Sequence, residues 1–450
     1  MTVRRDSIDV IRRNRFAFTL LAASSLLGLV ACSSDGPVLA PMSAGQAGDG
    51  ASSGGVNGAG ASSVGGAGAP TLGGDTATGG DVGVSGATMT GGNLNGGSSG
   101  SGGVNGGGNA PVSSLPGCAL KFPYQDEPTR GTWLGGDSAY STVLSPTTAL
   151  WSFQDTIIGK HGATTREGAG FIANSMAWVK CENGVGSIEY FWRQGGNGAI
   201  FSDGVANQRF WPQQPIIYKG FLFAAMTRVQ GGADEIGTAL ARVSNPLDTP
   251  DKWQAEYFDL ASLSGLGKGT VVVDNYAYLF GNAGQAVITR LPLDELIKPA
   301  AVPMALLEYL ASDGQWKKGL NTTDAKKLGF NANVGTSFRS LKGAKKWLVL
   351  FTNTAGWPSA TISISTAPEL VGPWTKPVDV YQVPEMTVGK PEYEKDNVCY
   401  AGIEHDESNP DSETQLLFSY TCNSFVLAKQ IANLGIYLPK IVKLTNPAAN

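Results

Sequence analysis

Two aspartates near the start of the tryptophan-rich part of the chain are the strongest candidates for chemistry. Asp137 follows a Gly-Gly turn and precedes a predicted strand, whereas Asp155 ends the next predicted strand. Two strands and a hairpin return the chain to its starting level, so both carboxyl groups are expected at one end of a sheet. Such a pair suits glycosidic bond cleavage, in which one carboxyl protonates the leaving oxygen and the other attacks the sugar or activates water.

Both aspartates also have an ordinary structural explanation. Aspartate after Gly-Gly is common in turns, and Asp155 followed by Thr156 can close a local turn at a strand end. The residues alone therefore leave catalysis and turn formation open for each aspartate. If both lie in one cleft, their environments separate the two pKa values, so that one carboxyl is an acid while the other stays ionised.

The elements that must position these residues are predicted to be strands. After residue 115, β-branched and aromatic residues recur in short runs bounded by Gly, Asn, Asp or Pro. Helical periodicity is scarce and is best at 291–298 and 304–310. We therefore expect an all-β fold, a five-bladed β-propeller at 115–450, with a β-sandwich as the alternative.

The five predicted blades follow a loose repeat of strands and polar turns. Their starting points lie near Gly131, Ala173, Arg209, Gly267 and Gly335. The strands near 399–423 are predicted to close the ring. Each unit averages about 65 residues, which exceeds the length of a compact blade and implies extended loops on one face.

Several segments resemble a known propeller family. They are Trp-Leu-Gly-Gly-Asp at 133–137 with Ser141, Leu-Trp-Ser-Phe-Gln-Asp-Thr at 150–156, Asn-Ser at 174–175, Phe-Trp-Pro at 210–212, Pro-Glu-Leu-Val-Gly-Pro-Trp at 368–374, Ala-Gly-Ile-Glu-His at 401–405 and Leu-Leu-Phe-Ser-Tyr at 416–420. The family is catalogued as a domain of unknown function and is associated with bacterial endo-D-arabinanases. The resemblance spans roughly 131–423 and implies that Asp137 and Asp155 are the catalytic carboxylates.

The chain departs from the family pattern at two places. Gln154 stands where Gly or Ser usually precedes the second aspartate, and Asp406-Glu407 stands where Pro-Glu usually follows His405. Both carboxylates are retained, but the sugar, and activity itself, stay open.

Four further residues are candidates for binding a sugar. Trp133 and Trp211 offer wide apolar faces that can stack on a sugar ring, although most tryptophans in such a domain are packing residues. Asn174 is expected either to hydrogen-bond a hydroxyl or to close a turn. His405 is expected either to contact a hydroxyl or carboxylate, or to be a solvated loop histidine.

The cysteines after residue 115 predict disulfides rather than a metal site. Cys118, Cys181, Cys399 and Cys422 are an even set in a chain that looks exported. Cys399 and Cys422 lie near the ends of what look like neighbouring strands, so we favour that pair, which leaves Cys118 with Cys181. A site built from four thiolates is the alternative, but no C-x-x-C spacing occurs. We expect no metal and no cofactor.

The first residues resemble a lipoprotein export signal. A basic stretch precedes an uncharged apolar run from 16 to 31, which is shorter than the roughly 20 residues of a membrane-spanning helix. Leu-Val-Ala-Cys at 29–32 resembles a lipobox, which implies a signal peptide at 1–31 and lipidation of Cys32. Ordinary signal cleavage or a short anchor helix are the alternatives. We expect an exported protein, lipid-anchored to a bacterial membrane, at the outer membrane or cell surface.

Residues 32–114 are predicted to be a disordered tether. The segment is almost all Gly, Ala, Ser, Val, Asn and Thr, so it cannot bury enough apolar surface to offset its backbone entropy. About 80 such residues have a mean reach on the order of 50 Å. Gly-rich nucleotide-binding patterns occur here but follow no strand, and they carry no weight.

Composition limits the classes of partner. The net charge is −4, from 33 basic and 37 acidic residues, so nothing favours nucleic acid. Only two histidines are present, which restricts metal and histidine-base chemistry. We expect a monomer that contacts a membrane through its lipid anchor only.

Three functions fit these observations. The first is a surface-tethered endo-acting glycoside hydrolase on an extracellular polysaccharide, D-arabinan or another furanose polymer. The second is a propeller that binds glycans without cutting them, and the third is an adhesion protein. The presence of both Asp137 and Asp155 favours the first function.

Overall fold

The protein is seen here as a computed structural model, which describes residues 120–182, 185–194, 198–231, 234–331, 335–353 and 361–449. The predicted signal peptide, the predicted tether and Cys118 lie outside these ranges. Within them, no helix is both long enough and apolar enough to cross a bilayer.

Strands dominate the structure, which confirms the predicted all-β class. The described residues contain three short α-helices, α1 (Leu293–Leu296), α2 (Pro303–Leu306) and α3 (Leu427–Ala432). Single 3-10 turns occupy Pro250–Lys252, Pro384–Met386 and Asp406–Ser408. The helical pattern predicted at 304–310 is wrong in its second half, where a strand follows α2 and joins a sheet; tertiary pairing overrides the local pattern there.

The first two sheets share one long hairpin. The first sheet has the order β1-β2-β5-β6, with bounds β1 (Gln125–Glu127), β2 (Gly131–Gly136), β5 (Thr156–Gly159) and β6 (Gly170–Ile172). The second has the order β3-β4-β7-β8, with bounds β3 (Tyr140–Ser145), β4 (Thr148–Phe153), β7 (Ser175–Glu182) and β8 (Val185–Phe191). Because β2 leads into β3 and β4 leads into β5, the hairpin passes through both sheets.

Four further antiparallel sheets follow in chain order. The third contains β9 (Gln208–Tyr218), β10 (Phe221–Gln230), β11 (Asp234–Val243) and β12 (Ala255–Ala261). The fourth contains β13 (Gly269–Val273), β14 (Tyr276–Asn282), β15 (Ala286–Pro292), β16 (Glu308–Leu310) and β17 (Trp316–Lys318). The fifth contains β18 (Thr336–Leu341), β19 (Lys346–Thr352), β20 (Thr361–Ala367) and β21 (Val378–Gln382). The sixth contains β22 (Asn397–Glu404), β23 (Gln415–Ser424) and β24 (Lys440–Thr445).

The leading strands of five sheets contact one another in series. β3 contacts β9, β9 contacts β13, β13 contacts β18, and β18 contacts β22. Tyr140 of β3 then packs with Ala401 and Ile403 of β22. Gly335 shows how close the approach is, because a Cβ at this residue would lie 2.3 Å from the Cα of Ala401.

Apolar side chains fill the spaces between neighbouring sheets. Leu150 and Met176 of the second sheet, for example, form one buried cluster with Phe210 and Leu222 of the third. Removing such side chains from water is the main favourable contribution to folding. This packing fixes the leading strands, and with them the residues at their ends.

The predicted unit boundaries are partly corrected. Ala173 does not begin a new sheet; it directly precedes Asn174 and β7, the third strand of the second sheet. β22, β23 and β24 form a sheet of their own. Strand patterns in a sequence mark strands, but they do not show which strands share a sheet, and the shared hairpin uses strands from two sheets.

The predicted disulfide between Cys399 and Cys422 is present and joins directly opposed positions of β22 and β23. Glu385 lies close to both sulfurs, but their bond leaves no thiolate there for a metal. Cys181 of β7 is also disulfide-bonded. Its pairing with Cys118 stays a prediction.

Candidate active site

Asp137 and Asp155 lie opposite each other on the shared hairpin. Asp137 connects β2 to β3, and Asp155 connects β4 to β5. The backbone N–H of Asp137 donates to the carbonyl of Asp155 at 3.3 Å, and the N–H of Gln154 donates to the carbonyl of Asp137 at 3.0 Å. The structure therefore brings together the two carboxylates that the sequence places on consecutive strands.

The backbone beside Asp137 is in an unfavourable conformation. Ser138 has a φ of 49°, in the left-handed region that side-chain-bearing residues seldom adopt. Its side chain is buried, and its Oγ has no hydrogen-bond partner within the described part of the chain. Such conformations persist where the surrounding structure fixes them, frequently at functional sites.

Asp137 is nearly enclosed. Only 7% of the residue is exposed, and its Oδ2 accepts hydrogen bonds from the hydroxyls of Tyr400 at 2.8 Å and Tyr437 at 3.5 Å. Burial, and then the nearby charge of Asp155, raise the pKa of Asp137 to about 8, although both tyrosine hydrogen bonds act against the shift. Asp137 therefore carries a proton at neutral pH.

Asp155 has a different environment and is partly exposed. The indole N–H of Trp211 donates to its Oδ1 at 2.7 Å. Burial raises the pKa of Asp155, whereas the charge of Arg209 and the hydrogen bond from Trp211 lower it. The Arg209 guanidinium lies 5.6 Å from the centre of the Trp211 ring, so the cation and the indole form one unit beside this carboxylate.

The two carboxyls have different surroundings, although burial raises the pKa of both. Asp137 has two neutral hydroxyl donors and little solvent, whereas Asp155 has a cation, an indole donor and access to solvent. A carboxyl pair separated in this way can supply a proton at one atom and negative charge at another. That combination is what glycosidic bond cleavage needs.

Trp133 does not occupy the position predicted for a sugar-stacking residue. It is fully buried in the first sheet, its ring stacks on Tyr190 at 3.8 Å between centroids, and its indole N–H donates to Ser175. With one face against Tyr190 and no exposed surface, it is a packing residue. Trp211, by contrast, is partly exposed and lies beside Asp155.

Asn174, like Trp133, contacts other parts of the protein rather than an open binding surface. Its amide donates to the carbonyls of Phe201 and Phe210, and its side-chain oxygen accepts from the N–H of Phe201. The residue is fully buried, so the predicted contact with a sugar hydroxyl does not fit. Asn174 instead joins the second sheet to the segment that leads into the third.

His405 is fully buried rather than in a solvated loop. Its ring stacks on Trp151 at 4.1 Å, and its two nitrogens contact the hydroxyls of Ser141 at 2.6 Å and Ser419 at 2.8 Å. Burial lowers the pKa of His405 to about 3, so the ring is neutral. It joins the second and sixth sheets and has no surface for a sugar.

The residues that contact or influence the aspartates were mostly not identified from sequence. Tyr400 belongs to β22, Tyr437 lies between α3 and β24, and Arg209 begins the third sheet. Tyr437 is 300 positions away from the aspartate that it contacts. Local spacing gives no signal for such pairs, although Tyr400 directly precedes the Ala-Gly-Ile-Glu-His motif and Arg209 directly precedes the Phe-Trp-Pro motif.

The chain matches a protein-family model. The model, described as Domain of unknown function (DUF5005), matches residues 124–446. The chain belongs to this family. The DUF5005 region contains both aspartates and each residue that contacts them. No curated protein matches the chain.

Solved structures of other proteins are similar to this DUF5005 chain to different degrees. A provisionally assigned hydrolase from Bacteroides ovatus has a TM-score of 0.54 and 16% identity, over 71% of this chain and 87% of that chain. An exo-beta-1,3-galactanase from Phanerochaete chrysosporium has a TM-score of 0.41 and 11% identity, over 72% and 64% of the two chains. A GH43_1 enzyme from Xanthomonas citri has a TM-score of 0.40 and 10% identity, over 72% and 90%. At such low identity the first similarity concerns the fold alone.

Proposed function

We propose that the protein is an endo-acting glycoside hydrolase, which cuts internal bonds of an extracellular polysaccharide. D-arabinan or another furanose polymer is the proposed substrate, from the resemblance of the sequence motifs. The observation that carries the proposal is the pair of carboxyls on one hairpin, with Asp137 protonated and Asp155 beside a cation and an indole donor.

In the proposed mechanism, Asp137 gives its proton to the glycosidic oxygen as the bond breaks. Asp155 either attacks the anomeric carbon or removes a proton from the attacking water. Trp211 and Arg209 favour the charged form of Asp155 that both routes need. Carboxyl groups about 5 Å apart lead to retention of configuration and those about 6.5–9.5 Å apart to inversion, so proton NMR of the first product distinguishes the routes.

The five sheets whose leading strands contact in series are proposed to be the blades of a five-bladed propeller. The series from β3 through β9, β13 and β18 to β22 supports this architecture, and Tyr140 of β3 packs against the last strand of the series. The sheet of β1, β2, β5 and β6 then lies beside the ring as an addition. A crystal structure with sheets stacked in two layers would contradict it.

The cellular setting is a further part of the proposal. Lipidation at Cys32 after removal of 1–31, followed by the tether at 32–114, is proposed to hold a monomeric domain of residues 115–450 at the outer membrane or cell surface. Several acyl chains are needed for stable attachment. The mass of the mature N-terminal peptide tests this, because an unmodified Cys32 contradicts the anchor.

The burial of Asp137 favours one alternative, a propeller that binds glycan without cutting it. An acid must reach the glycosidic oxygen, and only 7% of Asp137 is exposed. Under this alternative the partly exposed Asp155 and Trp211 bind sugar hydroxyls and a ring face.

A polymer screen tests the proposal against this alternative. The purified protein is incubated with arabinan, arabinogalactan, fructan and xylan, and reducing ends and viscosity are followed. We expect one polymer to lose viscosity early, as internal cleavage requires. Retardation in a polymer-containing gel without new reducing ends would support the binding protein, and the absence of both effects would contradict both functions.

Replacing Trp211 by Phe is expected to lower kcat/KM below neutral pH about tenfold. The variant keeps the ring but loses the N–H that donates to Asp155, so the pKa of Asp155 rises and its ionised form becomes scarcer at low pH. The acid limb of the pH profile therefore moves to higher pH. The matched control is Trp253→Phe, which loses an indole bond to the carbonyl of Asp248 in the connection between β11 and β12 and should keep the profile. Equal profiles for both variants would contradict the role of Trp211.

A further inference from the structure

A segment from the C-terminal part of the chain reaches Asp137. Residues 433–437, here called the strap, follow α3 and end at Tyr437, whose hydroxyl contacts the Asp137 carboxylate. Tyr437 is buried, packs with Leu134 and Ile157 of the first sheet, and has a φ of 60°. The hydrogen bond from its N–H to the carbonyl of Cys422 fixes that end of the strap.

Arg166 fastens the strap to the first sheet. The guanidinium is buried in the connection between β5 and β6 and donates only to backbone carbonyls. These acceptors are Gln430 at 3.1 Å, Asn433 at 3.1 Å, Ile436 at 2.6 Å and Leu134 at 3.0 Å. No carboxylate within the described ranges pairs with this arginine. One planar cation thus joins α3 and the strap to β2, three positions before Asp137.

β2, the strap and Arg166 pack tightly against one another. Gly135 of β2 has a φ of 150°, and a Cβ on it would lie 2.4 Å from the carbonyl oxygen of Tyr437 and 3.1 Å from Nη2 of Arg166. Backbone, strap and guanidinium are therefore in direct contact beside Asp137. A displacement of the strap requires the loss of the arginine contacts.

We propose that Arg166 is a positioning residue of this site, which holds the strap against Asp137 and so keeps that carboxyl away from solvent. The inference rests on the proposed function. Arg166 touches neither aspartate; it acts through Tyr437.

The groups that face Asp137 come from four elements. They are Asp155 of the hairpin, Tyr140 of β3, Tyr400 of β22 and Tyr437 of the strap. Of these, Tyr437 is the one that Arg166 holds. Burial is the largest cause of the raised pKa of Asp137, whereas the Tyr437 hydrogen bond lowers that pKa. Loosening the strap and removing only the hydroxyl should therefore shift the titration in opposite directions.

Two variants separate these effects. In Arg166→Lys, one ammonium cannot bond four carbonyls in the plane of the lost guanidinium, so the strap loosens and water reaches Asp137. The pKa of Asp137, measured by carboxyl ¹³C NMR, should fall by about one unit. The alkaline limb of the pH–activity profile should move to lower pH with it. In Tyr437→Phe the strap stays in place, and the pKa of Asp137 and the alkaline limb of activity should both move to higher pH. Amide exchange at Tyr437 should accelerate only in Arg166→Lys.

Arg242→Lys is the matched control. Arg242 is also buried and donates to two carbonyls, those of Leu296 and Lys298, away from this site, and unlike Arg166 it also pairs with a carboxylate, that of Glu256. This variant should leave the titration of Asp137 unchanged. Melting curves confirm that each variant is folded, and Arg166→Gln serves if the Lys variant does not fold.

An unchanged or upward titration in the folded Arg166 variant would overturn the inference. The NMR titration needs no substrate, so it decides the role of Arg166 even if no polymer is cleaved. Failure of the proposed function therefore appears in the polymer screen, and failure of this inference appears in the titration.

Discussion

Replacing Asp155 by Asn lowers kcat/KM on the cleaved polymer by about three orders of magnitude or more, because the amide supplies neither a nucleophile nor a base. Asp137→Asn lowers it by about two to four orders of magnitude, because the amide cannot give a proton to the leaving oxygen. Both are read from new reducing ends, with circular dichroism to confirm folding. Activity retained in both variants would defeat the assignment.

Asp274→Asn is the matched control for these two variants. Asp274 lies exposed in the turn between β13 and β14 with a φ of 54°, a conformation that asparagine also tolerates. The substitution removes one carboxylate and changes neither folding nor cleavage. A loss of activity here would mean that the effects at Asp137 and Asp155 are not specific to the site.

The leaving group distinguishes the two roles. An aryl glycoside of the cleaved sugar departs as a stable phenolate and needs less protonation than a sugar alcohol. Asp137→Asn should therefore lose much less activity on the aryl substrate than on the polymer, whereas Asp155→Asn should lose similar activity on both. The reverse pattern would exchange the acid and the base.

We expect the protein to lose stability as the pH rises from about 4 to 8, and we expect Asp137→Asn to reduce that loss. Three buried carboxyls have raised pKa values, about 8 for Asp137 and Glu407 and about 7 for Glu404, each chiefly through burial. The folded protein retains protons that the unfolded chain releases near pH 4. This contribution is complete below about pH 4 and is lost as the pH rises through 7 to 8.

His405 contributes in the opposite direction at lower pH. Burial lowers its pKa to about 3, so the folded protein releases a proton that the unfolded chain binds below about pH 6.5. Stability from this residue therefore increases as the pH rises from about 3 to 6.5. Together the four groups place the maximum of stability in mildly acidic solution.

Asp137→Asn should be more stable than the parent at pH 9 by about 2 kcal/mol, since the amide needs no proton to stay buried. Urea unfolding at pH 6 and pH 9 measures the difference. Glu407→Gln should behave similarly. Asp294→Asn removes an exposed carboxyl that is bonded to Lys219 and should bring no gain at pH 9. An Asp137 variant no more stable than the parent at pH 9 contradicts the buried, protonated carboxyl.

The local sequence predicts the hairpin but not the residues that surround it. The strand pattern and the Gly-Gly turn place Asp137 and Asp155 on consecutive strands, and two strands with short connections must bring them together. Tyr437 and Arg166 reach the same site through a strap and a loop far apart in the chain. Nothing in their local sequence indicates that contact, which depends on how the first and last sheets pack.

The sequence also does not tell a packing residue from a binding one. Trp133 and Trp211 are both aromatic residues in strands, yet one is stacked on Tyr190 and the other donates to Asp155. Asn174 and His405 are polar residues in sugar-like contexts, but backbone carbonyls and serine hydroxyls take their hydrogen bonds. Burial, which decides between these roles, is a property of the assembled sheets.

Because both acidic groups lie on a single hairpin, the spacing of the two carboxyls and their proton balance depend on different parts of the protein. The spacing of the pair depends on a few neighbouring ladder bonds, whereas its proton balance depends on β22, the strap and the start of the third sheet. Under the proposed function, small rotations between sheets would shift the pKa values of the two carboxyls while leaving their spacing unchanged. Grafting this ribbon onto a related scaffold would transfer the reaction geometry without its pH range.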